Sequence, residues 1–192
     1  MSPIDMRSAE GTEFVVDTGA PCLDLLYTGG EGERARWEAL HAPGDLARWV
    51  ATHLLGRAVA AAAVDVTAED LIRAKELREV LWRTANRSAD GDGPAAADSA
   101  SLDAAAARPD IAPQLRPPGV VTPVTGSQVL STLARDAIGL LTGPYAERIK
   151  RCAADDCAIV FADTSRAGTR RWCSMARCGN RDKVRAHREK EK

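Results

Sequence analysis

The sequence predicts a mainly α protein: a helical N-terminal domain with a small β-hairpin, followed by a short C-terminal module that is organised by four cysteines and ends in a helix. Three observations lead there. Aromatic residues make up 4% of a chain that is 45% hydrophobic, and alanine and leucine are plentiful, a composition that favours helices over sheets. Apolar residues recur at helical spacing in several stretches. Four of the five cysteines lie in the last 41 residues. The 192 residues suit one medium domain, residues 1–145, and one small module, residues 146–192.

Residues 1–12 read as a loose start and Glu13–Thr18 (EFVVDT) as a short strand. Pro21 suits a first helical turn, so CLDLLYT forms a short buried helix that stops at Gly29-Gly30. After a polar stretch, Asp45 is expected to cap a helix reaching about Leu55, with Leu46, Trp49, Val50 and His53 or Leu54 on one face. Thr67 and Asp70 stand at capping-box spacing and open the clearest helix. Leu71, Ala74, Leu77 or Arg78, Leu81 and Ala85 line one of its faces to about Arg87, and Arg73, Lys75, Glu76 and Glu79 fill much of the rest. Residues 89–98 (ADGDGPAAAD) have the composition of a flexible linker, and Ser99–Ala107 of a short helix. In 108–126, VVTPVT suggests a strand that Pro123 confines to an edge, hairpinned with Ile111–Arg116. Ser127 opens a helix to Leu141 that Gly143-Pro144 closes.

The formal net charge of −1 hides an asymmetry. Residues 148–192 hold 13 Lys/Arg against 6 Asp/Glu, a formal +7, and the remaining residues sum to −8. A polyanion would bind the basic end. No stretch approaches the roughly 20 apolar residues that span a bilayer. The first residues lack the basic start and apolar core of a signal peptide. A soluble cytoplasmic protein with no membrane partner is therefore expected.

Cys152-x4-Cys157 and Cys173-x4-Cys178 repeat one spacing, with fifteen residues between the pairs. In a reducing compartment such pairs hold metal rather than form disulfides. Each pair can wrap a tight turn and aim two sulfurs at one ion about 2.3 Å away. The intervening IVFAD and RRW can supply short strands, giving a zinc-ribbon-like arrangement. Four thiolates fill the shell of one zinc ion per chain, so the metal is structural and leaves no open position for catalysis. With that charge included the basic end falls to about +5. No Gly-rich phosphate loop, Ser/His/Asp order or HExxH is present, and no enzyme is expected. Cys22 reads as a small core residue, His41 and His53 have no acidic partner at motif spacing, and His187 is surplus to a four-cysteine site. Trp37, Trp49 and Trp82 either line a pocket in the helical body or, more often, belong to its core.

On a terminal helix Arg181, Arg185, Arg188 and Lys192 share one face, and Asn180 can cap its start. Arg170, Arg171 and Arg177 add charge beside the second cysteine pair. These arginines, with Lys183, are the candidate nucleic-acid contacts, held by a rigid knuckle for phosphate.

The same residues resemble the CGNR zinc-finger family. The matching pieces are Cys152-x4-Cys157, Phe161-Ala-Asp163-Thr-Ser165-Arg166, Arg170-Arg171-Trp172-Cys173-Ser174-Met175 and Cys178-Gly179-Asn180-Arg181 with Lys183. The likeness spans about 40 residues. It implies an N-terminal helical domain called ABATE and a role as a stress-induced transcription regulator that binds DNA. RNA binding has also been suggested for the family. Its members carry a segment like LDFVNT where this chain has Leu23-Asp24-Leu25-Leu26-Tyr27-Thr28, a departure at Tyr27. Within the finger, Asp163 is expected to accept from Ser165, from a backbone N–H or from Arg166 or Arg170. Phe161 and Trp172 are expected to form a small core, and Met175 to fill space beside the metal. The function expected is a DNA-binding regulator whose N-terminal domain senses a signal, such as a small-molecule effector, or forms a homodimer. An RNA-binding protein and a metal-stabilised protein-interaction module are the alternatives.

Overall fold

The computed structural model describes residues 4–7, 11, 13–55, 60–113 and 123–190. The chain starts with β1 (Ile4–Arg7) paired antiparallel to β2 (Glu13–Val16), in the register Ile4↔Val16 and Arg7↔Glu13. Residues 4–7 are thus a strand rather than a loose start. Alternation buries Ile4, Phe14 and Val16 on one face. A short helix α1 (Pro21–Asp24) opens with Pro21 and tightens into a 3₁₀ turn, Leu25–Thr28. A second 3₁₀ turn, Gly32–Trp37, occupies the polar stretch.

Helix α2 (Pro43–Trp49) continues as a π turn through Val50–Leu54. Asp45 lies inside its first turn rather than at the cap, and its carboxylate accepts from the N–H groups of His41 and Ala42 at 2.9 and 2.7 Å. Strand β3 (Val64–Asp65) precedes α3 (Ala68–Ala89). There Thr67 and Asp70 close the expected capping box: Thr67 Oγ1 accepts from the Asp70 N–H, and Asp70 accepts from the Thr67 N–H. Helix α4 (Ala96–Ala106) starts three residues before the expected Ser99. Its Asp98 is buried against Arg83, so the end of the expected linker is an anchored first helical turn.

Strand β4 (Val124–Thr125), the described end of VVTPVT, pairs in parallel with β3. Residues 114–122, which carry most of the expected hairpin, lie outside the described residues. Helix α5 (Gly126–Thr142) has a second capping box from Thr125 and Gln128. The long helices α3 and α5 bury Leu77, Leu81, Val129 and Leu133 with Leu23, Leu25 and Leu46 in one core. Arg78 is buried beside them, where its guanidinium forks onto Glu38 at 2.7 and 3.1 Å and reaches Thr28.

Two strands follow, β5 (Ile149–Arg151) and β6 (Val160–Ala162), paired antiparallel as Ile149↔Ala162 and Arg151↔Val160. All three residues of β6 are buried. Val160 and Ala162 join the core of the helical body, and Phe161 faces a second core that contains Ile4, Phe14, Val16 and three buried cysteines. The outer edge of β6 is closed by the body. Tyr27 donates its phenol hydrogen to the Val160 carbonyl and accepts from the Val160 N–H, both at 2.7 Å. The Thr18 carbonyl accepts from the Ala162 N–H at 2.7 Å. That approach requires Gly19, whose φ is +85° and where a Cβ would stand 2.4 Å from the Ala162 carbonyl oxygen. The chain ends in α6 (Asn180–Lys190).

Two variants test this frame. Tyr27→Phe leaves the Val160 N–H and C=O without partners, and should cost about 1–3 kcal/mol in the urea unfolding of the zinc-loaded protein. Asp24 is pushed up to about 7, first by burial and then by Asp17 and Asp136 against the opposing Thr18 hydrogen bond. Its favourable protonated state is lost as pH rises through about 7. Asp24→Asn should therefore gain stability relative to the parent between pH 4 and pH 8, measured as melting temperature against pH; parallel curves would contradict it.

Candidate metal centre and nucleic-acid interface

The first cysteine pair sits where β5 turns towards β6. The Cys152 N–H donates to the Ile159 carbonyl at 2.8 Å and the Cys157 N–H to that of Ala154 at 3.0 Å, which folds 152–157 into a tight knuckle. The second knuckle is a π turn over Met175–Gly179, with Cys173 just before it and Cys178 inside it. The knuckles are tied together where the Ala153 N–H meets the Arg171 carbonyl at 2.8 Å and the Cys173 N–H points at Cys152 Sγ at 3.4 Å. RRW is not a strand. Its backbone is committed elsewhere, because the Arg170 N–H donates to Asp163 and the Arg171 carbonyl to the first knuckle is an acceptor.

All four sulfurs lie within 4.8 Å of one another, and the Cys157–Cys173 and Cys173–Cys178 separations are both 3.7 Å. Four sulfurs about 2.3 Å from one ion stand about 3.8 Å apart in a tetrahedron, whereas a disulfide would need about 2.05 Å. Cys152, Cys173 and Cys178 are buried and Cys157 is half-buried. Without a cation the four cannot all ionise: hydrogen bonds from Cys157 and Cys173 hold Cys152 low, and in turn Cys157 is pushed up to about 12, first by Cys152, and Cys173 is pushed up further by Cys152 and Cys157. A divalent cation removes that conflict by taking four thiolates at once. The four cysteines form the site of one structural zinc ion.

Asp163 is the internal brace of the finger. It is fully buried. Its carboxylate accepts from Lys150 Nζ at 2.8 Å, from the Arg170 N–H at 2.8 Å, and from the N–H and hydroxyl of Ser165. Burial alone would raise its pKa, but these donors, Lys150 first, hold it well below the usual carboxylate range. Ser165 and a backbone N–H are the expected partners, while the cation is Lys150 rather than an arginine side chain. Phe161 is buried as expected and Trp172 is half-buried. Met175 is 52% exposed and lies over Gly179, the neighbour of Cys178.

The candidate phosphate contacts separate into two groups. Arg170 and Arg177 are half-buried braces. Arg170 donates to the carbonyls of Trp172 and Cys173 and stacks on Phe161, and Arg177 stacks on Phe14 of the N-terminal hairpin at 4.3 Å. Arg171, Arg181, Lys183, Arg185 and Arg188 are exposed. Of these, Arg181 forks onto Asp156 at 2.7 and 2.8 Å and approaches Cys178 Sγ at 3.7 Å, and Arg185 bonds Asp155 and Asp182 at 2.6 and 3.0 Å. Lys192 lies outside the described residues. Asn180 is inside the continuous turn and donates to the Ala176 carbonyl at 3.1 Å, so it does not act as a cap. Sequence reasoning missed the acidic pair Asp155-Asp156. The signal available was its place between the first two cysteines, opposite arginines one helical turn apart.

Trp37 and Trp82 come together on the side of the body that faces the finger, whereas Trp49 packs on the core and against His53. Among the described residues no helix is long and apolar enough to cross a membrane. Residues 19–144 match the model of the ABATE family, described as "Putative stress-induced transcription regulator", and residues 148–191 match the CGNR zinc finger. No curated protein matches the chain.

Elemental analysis should find about one zinc per chain. Cys173→Ser should abolish it. Because Ile4, Phe14 and Val16 share a core with the cysteines, amide exchange in β1 and β2 should accelerate together with exchange in α6. An N-terminal hairpin that stays protected in the metal-free variant would contradict the shared core.

Proposed function

This chain belongs to the ABATE family and carries a CGNR zinc finger, and on that premise we propose that it is a transcription regulator that binds DNA through its basic C-terminal module. The observation that carries the reading is the mounting of cationic side chains on a metal-fixed frame. Helix α6 continues directly from the second knuckle, so zinc fixes its direction, and Lys183 and Arg188 stand exposed along it. Arg181 and Arg185 are held by Asp156 and Asp155, whose side chains are 66% and 81% exposed. Exposed ion pairs of this kind contribute about 0–1 kcal/mol. A DNA backbone, which releases counterions on binding, can outcompete them. Arg171 adds a further exposed cation beside the knuckles.

Four sulfur ligands leave the metal no open position, which supports a regulator over an enzyme. The helical body then senses a signal or pairs two copies of the chain, in a reducing cytoplasm that keeps the thiolates available. Trp172, half-buried beneath the Arg171 guanidinium at 4.6 Å, favours single-stranded RNA as the second reading, because RNA recognition stacks bases on such rings.

Fluorescence anisotropy of the zinc-loaded protein with duplex DNA tests the proposal. Affinity should fall steeply between about 50 and 200 mM salt. Lys183→Glu with Arg188→Glu should weaken binding and lower the salt slope by about two. Asp155→Asn with Asp156→Asn should strengthen binding by freeing Arg181 and Arg185. No binding at low salt removes the proposal, and preferential competition by single-stranded RNA moves it to the second reading.

A further inference from the structure

Between the helical body and the finger lies a cavity of about 350 Å³, and we propose that it binds a small planar aromatic carboxylate. Both sides build it. The body contributes Trp82 from α3 and Arg34, Arg36 and Trp37 from the second 3₁₀ turn, and the finger contributes Asp156 and Arg177, one from each knuckle. The volume lies within the range of small-molecule sites, about 300–1,000 Å³.

The ligand class follows from the walls. Arg34 lies over Trp82 at 4.1 Å, Arg36 over Trp37 at 5.3 Å, and Arg177 over Phe14 at 4.3 Å. Ring faces and flat guanidinium groups therefore alternate around one space. An aromatic ring can stack on either surface, and a carboxylate matches the guanidinium fork. Three guanidinium groups face one lining carboxylate, Asp156, which both Arg181 nitrogens already engage, and the half-buried Cys157, whose thiolate charge is shared with the metal. Arg34 is paired with Glu79, and Arg36 with Glu33 in an exposed pair. Arg177 has no carboxylate partner among the described residues. Arg177 is thus the lining guanidinium that a ligand carboxylate can engage without displacing another carboxylate. Trp37 is 39% exposed, a large ring left open that a ligand ring would cover.

The site gives the sensing role of the body a location and a ligand class, and in that respect it rests on the proposed regulator. Its binding is measured without DNA, so the two fail separately. Isothermal titration of the zinc-loaded full chain with 2-naphthoate and with salicylate should show saturable binding of one molecule per chain. Acetate, which has the charge without the ring, and 2-naphthol, which has the ring and is neutral at pH 7, should each bind about tenfold or more weakly. Arg177→Ala, Arg36→Ala and Trp37→Ala should each weaken 2-naphthoate by about tenfold. Arg36 and Trp37 are surface positions, so their variants keep the test valid if Arg177→Ala disturbs the hairpin. Absence of saturable binding by both carboxylates overturns the proposal, as does binding that Arg36→Ala and Trp37→Ala leave unchanged. A chain that binds 2-naphthoate and no DNA would keep this site and remove the regulator.

Discussion

The outer edge of β6 presents the N–H and C=O of Val160 and the N–H of Ala162 towards the helical body, where both residues are fully buried. Buried backbone groups of this kind must be paired, and each one left alone costs about 1–3 kcal/mol. Tyr27 and Thr18 meet that requirement as a partner strand would. The strand is thereby hydrogen-bonded on both edges, to β5 on one and to the body on the other, and buried on both faces. Everything in the finger that matters chemically is referenced to it. Cys157 precedes it, Asp163 follows it, and Phe161 projects from it into the core of the knuckles. A single short strand therefore sets the position of the zinc site relative to α3 and α5.

Features whose determinants are close in sequence were legible before the fold was known. The cysteine spacing constrains reach directly, and the four sulfurs do converge. The Thr67/Asp70 box needs only three residues of separation, and it closes as read. Features decided by distant partners were not legible. Ile4–Arg7 has no strand signal of its own, because Ile4 is buried in the cysteine core, far away in sequence. VVTPVT contains a strand pair, but with Val64–Asp65 rather than with a sequence neighbour. Asp98 looked like linker because the partner that anchors it, Arg83, lies on another helix. Tyr27 read as a departure from a family motif, yet its phenol carries both a donor and an acceptor and serves a peptide edge with each.

Charge shows the same division. The basic surplus of residues 148–192 was visible from counting. Its organisation was not. Two arginines that appeared free are held by acids within the first knuckle, and two more are structural braces over Phe161 and Phe14. Guanidinium is suited to this double use, since its planar face stacks while its edges donate. The finger thus carries fewer free cations than its composition indicates, because Asp155, Asp156 and Asp182 engage Arg181 and Arg185.

The shared core of the hairpin and the knuckles also has a consequence for the order in which the molecule is made. Residues 4–16 leave the ribosome well before Cys173 and Cys178, whose side chains share the core that covers Phe14 and Val16. Translation at about 5–20 residues per second separates those events by many seconds. The helical body can assemble in the meantime from its own local contacts. The β1–β2 hairpin stays without its cover until Cys173 and Cys178 are released and metal arrives, so hairpin and knuckles are completed together, in one event that waits on zinc supply.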